Sequence, residues 1–414
     1  MKQLLYICIL EISKIISKLG LVINFPILSS LAFVISLRFL KSKIKNKKRN
    51  ILILEKSHGI DDIKQISKLS LDKNLRFILL SRGHLHIIYN FFFKKNKDLD
   101  LYKNYVNKVF FYFNKIININ LIISFNLMYK SERVLQKLDQ NLDVKFLVCQ
   151  KECLFNEDVL KNLKNRFLKL DKFTGDHITV YNEQFKSMII STNHVDPNKI
   201  TVVGMSRADY YFNKQAKKQD HVLFFLINPD TGLINSNLNF SWNELAENTL
   251  TSTLNFAEKN PHIKFIFKAK IIGDNESYKQ QKLIKDKNLK NCSIVFGGNS
   301  NKLILDSRLI IAFNSTAIFE ALACKKDIII PYFKKKFEIN LKKYIIDTSI
   351  SENIYHAQNE KEIENILENT FRNKNKISYK YSEADNELLE KYIGNSDGNS
   401  SKRLVGVIEK IINI

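Results

Sequence analysis

Glycine and proline are scarce in this chain, 12 and 5 of 414 residues, and acidic residues number 42 against 65 lysines and arginines. No long low-complexity stretch and no internal repeat occurs, which excludes a disordered linker protein and a solenoid of stacked repeats. The cysteines, Cys8, Cys149, Cys153, Cys292 and Cys324, are odd in number, widely spaced and mostly set in apolar runs. They read as reduced, buried residues of a cytosolic protein rather than as a disulfide framework. Zinc-finger spacing and glycine-bounded aromatic RNA-binding motifs are missing as well. The lysines are dispersed instead of confined to one stripe, so the net charge of +23 does not point to nucleic acid. Part of that excess is compositional, because Lys, Asn and Ile are used heavily throughout. What remains favours anionic partners such as nucleotides and acidic lipid.

The chain is long enough for two domains, and 45% hydrophobic with 26% charged residues is ordinary for a folded globular protein. Residues 1–48 stand apart. Leu4, Cys8, Ile12, Ile15, Ile16 and Leu19 recur at helical spacing opposite Ser13, Lys14, Ser17 and Lys18, the pattern of an amphipathic helix. From Leu21 to Leu40 the chain is apolar with Arg38 as its only charge, and six basic residues follow between Lys41 and Arg49. Such a segment predicts attachment to the anionic inner face of a membrane, with a single crossing or a helical hairpin covering the first domain as alternatives. Glu11 interrupts any signal-peptide core.

Beyond residue 48 short apolar runs alternate with helical patterns. NILIL at 50, FILL at 77, Leu121–Ser124 and Lys145–Val148 predict strands of one sheet, with helices opening near Asp61 and covering Ser131–Leu138. TVVG at 201, HVLFFLI at 221, KFIFKAK at 264, SIVFGG at 293, LIIAF at 309 and DIIIPY at 327 predict a second set, with a helix over Trp242–Lys259. Strand–helix alternation predicts an α/β fold of two Rossmann-like, doubly wound domains facing a cleft. The expected divisions are 1–48 as the membrane-associated segment, 49–205 and 206–390 as the two Rossmann-like domains, and 391–414 as a final helix bracing the first.

The chemistry is densest in RLIIAFNSTAIFEALACKKDIIIPYF, residues 308–333, which reads as strand, polar turn, helix and buried strand. Asn314, Ser315 and Thr316 sit where the helix starts, able to cap it or to bond a phosphate. Glu320 follows one turn later on the same face, placed to accept hydrogen bonds from ribose hydroxyls. Lys268 or Lys270 after KFIF would neutralise a diphosphate, or both are solvated. Arg207 in VVGMSRAD either reaches an anion or pairs with Asp209. In the turn EKSHGIDD, His58, Asp61 and Asp62 follow the first strand, and His58 and Asp61 are candidates for a base that deprotonates an acceptor hydroxyl. They could equally shape the turn beside Gly59 and cap a helix. The D-x-D at Asp98–Asp100 reads as surface, and no metal or resident cofactor is called for.

Several short segments in order carry a resemblance: KECL at 151, FTGDHITVYNE at 173, ITVVGMSRADYYF at 200, FIFKAK at 265, AFNSTAIFEAL at 312 with PYF at 331, and IGNSDGNSSKRL at 393. Together they make the chain resemble the GT-B-type surface carbohydrate biosynthesis proteins, relatives of the bacterial capsule and teichoic-acid polymer transferases. The resemblance implies a glycosyltransferase whose second domain holds a nucleotide-sugar donor, with Asn314, Ser315, Thr316 and Glu320 on its phosphate and ribose and Lys268 or Lys270 on its phosphates. The acceptor would be a surface polysaccharide or a lipid-linked glycan. Ser206 stands where relatives often have proline, and KAK where they have a K-P-H-type turn. A nucleotide-sugar 2-epimerase and a non-catalytic assembly protein are the rival expectations.

Overall fold

The computed structural model describes residues 2–39, 49–55, 59–69, 74–94, 98–138, 142–151, 157–212, 214, 221–227, 242–269, 278–297, 300–333, 346–372 and 382–413. Contacts divide the chain into two units, one of Met1–Lys151, Lys164–Arg207 and Asn399–Ile414, the other of Glu152–Leu163 and Ala208–Gly398.

In chain order the elements begin with α1 (Lys2–Val22), α2 (Pro26–Ser36), β1 (Arg38–Phe39), β2 (Arg49–Glu55), α3 (Ile60–Leu69), β3 (Leu75–Ser81) and α4 (Arg82–Tyr89). Then come α5 (Leu99–Ile117), β4 (Ile119–Ser124), α6 (Lys130–Arg133), β5 (Lys145–Cys149), α7 (Glu157–Phe167), β6 (His177–Val180), α8 (Glu183–Ile190) and β7 (Ile200–Val202). The second set runs α9 (Asp209–Phe212), β8 (His221–Phe225), α10 (Trp242–Lys259), β9 (Lys264–Ala269), α11 (Tyr278–Lys287), β10 (Cys292–Phe296), α12 (Asn301–Asp306) and β11 (Leu309–Ile311). It ends with α13 (Ala317–Ala323), β12 (Asp327–Pro331), β13 (Ile354–Ala357), α14 (Glu360–Arg372), α15 (Glu383–Ile393) and α16 (Ser400–Ile411).

The first sheet has the order β1-β3-β2-β4-β5-β6-β7, parallel except for the two-residue edge strand β1. Its order reverses between β2 and β4. Ile51, Leu52, Ile53 and Leu54 are all buried, as expected of a strand covered on both faces. One face packs Ile51, Phe77, Leu121 and Leu147 against Ile63 of α3 and Leu404 and Ile408 of α16. The turn after β2 presses so closely on the chain after β4 that a Cβ at Gly59 would lie 2.4 Å from the Phe125 ring. Only glycine fits there.

The second sheet is wholly parallel, in the order β10-β9-β8-β11-β12-β13. The chain steps from β8 out to β10, then returns to lay β11 on the other side of β8, so the reversal falls between β8 and β11. Phe224, Phe265, Phe267 and Ile311 pack with Leu250 and Leu254 of α10 and with Ile363 and Leu367 of α14.

With glycine scarce, asparagine takes over the left-handed turns. Seven of the nine non-glycine residues at positive φ among those described are Asn, including Asn118 at the end of α5 and Asn314. Asparagine tolerates this conformation better than other side chains because its short amide bonds locally.

The amino terminus corrects one expectation. The apolar run 21–40 is not a single helix: α1 ends at Val22, Asn24 turns at φ 52°, α2 has 11 residues, and Arg38 pairs antiparallel with Leu79. Among the described residues no helix is long and apolar enough to cross a membrane. The reason is local, since Asn24 and Pro26 break the helix between its halves. The result is a hairpin in which α1 packs on α2 and α4, and α2 on α5. Also against expectation, Cys8 is exposed, whereas Cys149 and Cys324 are buried.

His84 of α4 ties the hairpin down. Its Nε2 lies 3.2 Å from Ser13 Oγ, its ring sits beside Phe33 at 5.4 Å between centroids, and it is wholly buried. Burial, with the nearby Lys14 charge, pushes its pKa down from 6.5 to about 4. Folding therefore requires the neutral ring: the unfolded chain takes up the proton below pH 6.5, the folded one not until about pH 4. Acidification across that window is expected to cost about 3 kcal/mol through this residue. Urea midpoints followed against pH should show this loss, and His84→Asn should remove it.

Candidate functional site

In open parallel sheets ligands bind outside the carboxyl ends of the strands where the order reverses. In the second unit that point is the exit of β11. Asn314 turns the chain at φ 42°, with its Oδ1 3.4 Å from the Ile346 N–H, and Ser315 Oγ accepts from the Ala317 N–H at 3.3 Å. Thr316 occupies the N-cap of α13 without a side-chain cap bond. All three are half-buried. The turn thus presents an amide and two hydroxyls at the switch point.

Glu320 lies one turn further into α13, where its N–H donates to Thr316 C=O at 3.1 Å. It is 9% exposed. Its Oε2 is 3.2 Å from the Tyr211 hydroxyl, which is also 3.0 Å from Asn301 Oδ1. One hydroxyl proton serves one acceptor at a time, so Glu320 and Asn301 share the Tyr211 hydroxyl of α9 as alternative acceptors. Behind it Phe319 stacks on Tyr392 of α15, with ring centroids 4.6 Å apart. Tyr211 is steadied in turn by its helix, because Asp209 Oδ1 accepts from buried Asn395 Nδ2 at 2.7 Å.

Lys268 ends up on β9, beside β8, in register with Phe225. It is buried, its ammonium donates to Ala269 C=O at 2.9 Å, and burial lowers its pKa. A partly desolvated ammonium at a strand's carboxyl end is a strong electrostatic partner for an anion. Lys270 lies outside the described residues, as does His58.

In the first unit the polar groups converge on Asp62, which the sequence places with His58 and Asp61 in the turn after the first strand. It is buried in the first turn of α3, next to Asp61. Asp62 accepts from the Arg207 N–H at 2.8 Å, from Arg207 Nη1 at 3.1 Å and from the Tyr181 hydroxyl at 3.3 Å. Arg207 Nη1 also meets Tyr181 Oη at 3.1 Å. Burial raises the Asp62 carboxyl above its ordinary value, against the Arg207 charge and hydrogen bonds that pull it down. Of the two readings of Arg207, anion or Asp209, neither named this carboxylate 145 residues earlier in the chain. Asp61 is half-buried and ion-paired with Lys64 at 2.8 Å. Asp98 caps α5 by accepting from the Asp100 and Leu101 N–H groups, each at 2.9 Å.

The quoted segments also hold one another in place. Ser401 Oγ donates to Ser206 C=O at 3.1 Å, and Arg403 Nε to Val203 C=O at 3.0 Å. The IGNSDGNSSKRL segment thus buttresses the exit of β7. No signal in a single sequence pairs Tyr211 or Asn301 with Glu320, although Tyr211 and Tyr181 both lie within the quoted segments.

No family model matches the sequence, and no curated protein matches it. Solved structures do. The UDP-GlcNAc 2-epimerase of Methanocaldococcus jannaschii aligns over 88% of this chain and 99% of its own, with TM-score 0.52 and 14% identity. The Neisseria meningitidis UDP-GlcNAc 2-epimerase bound to UDP-GlcNAc aligns over 88% and 100%, with TM-score 0.51 and 13% identity. A glycosyltransferase from Rickettsia africae aligns over 89% and 99%, with TM-score 0.51 and 14% identity. The fold is GT-B-like. At these identities the likeness establishes the GT-B-like architecture, within which the turn at 314–316 and Glu320 sit on the second unit and the Asp62 cluster on the first.

Proposed function

We propose that this chain is a nucleotide-sugar enzyme that moves the sugar from a nucleoside-diphosphate donor to a surface-polysaccharide or lipid-linked acceptor. The observation that carries this reading is the turn Asn314–Thr316 at the strand-order reversal, with Glu320 one helical turn on and 3.2 Å from the Tyr211 hydroxyl. Two solved neighbours in complex with UDP-GlcNAc support a nucleotide-sugar ligand. In this reading Ser315, Thr316 and Asn314 bond the phosphates, Glu320 the ribose, and Lys268 stabilises the departing diphosphate. Arg207, read from the sequence as reaching an anion or pairing with Asp209, is ion-paired with Asp62. His58 and Asp61 remain the candidates for the general base. The exposed apolar hairpin at the amino terminus favours transfer to a membrane-borne acceptor over epimerisation of a soluble donor.

The test is titration calorimetry of the full chain against UDP, CDP and GDP, followed by incubation with the matching nucleotide sugar. One nucleotide bound selectively, and released from the sugar only when acceptor is added, supports the transferase. Conversion of the nucleotide sugar to its 2-epimer without acceptor makes the protein an epimerase. Failure to bind any of the three removes the nucleotide-sugar reading. Residues 1–48 stay in the protein tested, because α1 and α2 cover α4 and α5.

A further inference from the structure

The hairpin turns much of its apolar surface outward. In a helix of a water-soluble protein the apolar stripe faces inward. In α1 the buried residues include Ser13, Ser17 and Gly20, while Leu5, Ile12, Ile15, Leu19 and Val22 are 53–74% exposed. The opposing α2 buries Ser29, Ser30 and Ser36 beside Ala32 and Phe33, and exposes Leu31 and Ile35. Three of the inward serines bond backbone: Ser13 Oγ donates to Leu10 C=O at 2.8 Å, Ser30 Oγ to Ile27 C=O at 2.7 Å and Ser36 Oγ to Phe33 C=O at 2.9 Å. Small residues let the two helices approach until a Cβ on Gly20 would lie 2.8 Å from Ser29 Oγ. Helices surrounded by lipid pack in this way. Among the described residues, ten of the eighteen large apolar side chains that are exposed fall between Leu5 and Ile35.

Charge decides what covers this face. Residues 1–49 contain ten basic side chains and one acidic, Glu11, which is ion-paired with Lys14. A second copy of the chain would set two such basic segments against each other, whereas anionic headgroups neutralise them. The apolar face continues past the hairpin turn into a groove of about 420 Å³ lined by Phe25, Pro26, Ile27, Phe111, Tyr112 and Lys108. Lys108 is exposed at its rim.

We infer that the outer face of α1 and α2 lies in the plane of an anionic lipid bilayer, inserted to side-chain depth without crossing it. The inference does not depend on which nucleotide sugar the second unit takes. Flotation of the full chain with phosphatidylcholine vesicles, with and without phosphatidylglycerol, tests it. Binding is expected to the anionic vesicles and to weaken at high salt. The triple variant Ile12→Ser, Ile15→Ser, Leu19→Ser should lose affinity by about a hundredfold or more. Its fold should be retained, since all three side chains already face outward, and unchanged circular dichroism would verify this. Equal flotation of the triple variant, or no binding of the parent chain to anionic vesicles, overturns the inference. So does a parent dimer in solution that the triple substitution dissolves, which would make the face a contact between copies.

Discussion

Asp62→Ala is expected to destabilise the protein by about 3–5 kcal/mol, the largest effect of any single polar substitution proposed for it. The mutation leaves the Arg207 guanidinium, whose side chain is 11% exposed, without the carboxylate that it meets at 3.1 Å. It also strips the Arg207 N–H and the Tyr181 hydroxyl of a shared acceptor. The pair is not strongly stabilising in itself. The raised Asp62 pKa means that desolvation outweighs the attraction of Arg207, and breaking the pair costs more than forming it gains. The double variant Asp62→Leu, Arg207→Met should therefore lie nearer the parent than either single variant. Urea unfolding of the parent, Asp62→Leu, Arg207→Met and the double variant measures the coupling, and additive losses in the double variant would show that the two groups do not act as a pair.

The second large effect is on ligand binding. In Glu320→Gln one oxygen of an acceptor-only carboxylate becomes an amide donor, so it can no longer take hydrogen bonds from both hydroxyls of a ribose. Loss of a charge-assisted hydrogen bond is worth about 1.5–3 kcal/mol, or about tenfold to a hundredfold in nucleotide affinity. Tyr211→Phe removes the hydroxyl 3.2 Å from the same carboxylate but leaves its charge, so it should weaken binding less. Calorimetry with the preferred nucleoside diphosphate separates the two. Unchanged affinity in Glu320→Gln would place the nucleotide elsewhere.

What could be read in advance follows from where each interaction lives. The inner strands are parallel and buried on both faces, so NILIL, KFIFKAK and LIIAF stood out as continuous apolar runs. β6 (His177–Val180) and β13 (Ile354–Ala357) did not, being four residues long with polar members. The helix expected over Ser131–Leu138 is one turn of α6 followed by a 3-10 turn, Val134–Lys137. The polar turn at Asn314 and Glu320 could be placed together because they fall within seven consecutive residues of one strand–helix unit.

The sequence by itself determined the alternation of strands and helices, the polar turn after LIIAF and the basic, apolar amino terminus, because these depend on neighbours along the chain. Tertiary structure alone decided that Arg207 meets Asp62, that Tyr211 meets Glu320, and that α1 turns Ser13 and Ser17 inward and Ile12 and Ile15 out. Periodicity marks a helix's apolar face but not the direction in which it points. Each of these pairings joins segments far apart in the chain, and only the packing of whole elements brings them within hydrogen-bond reach.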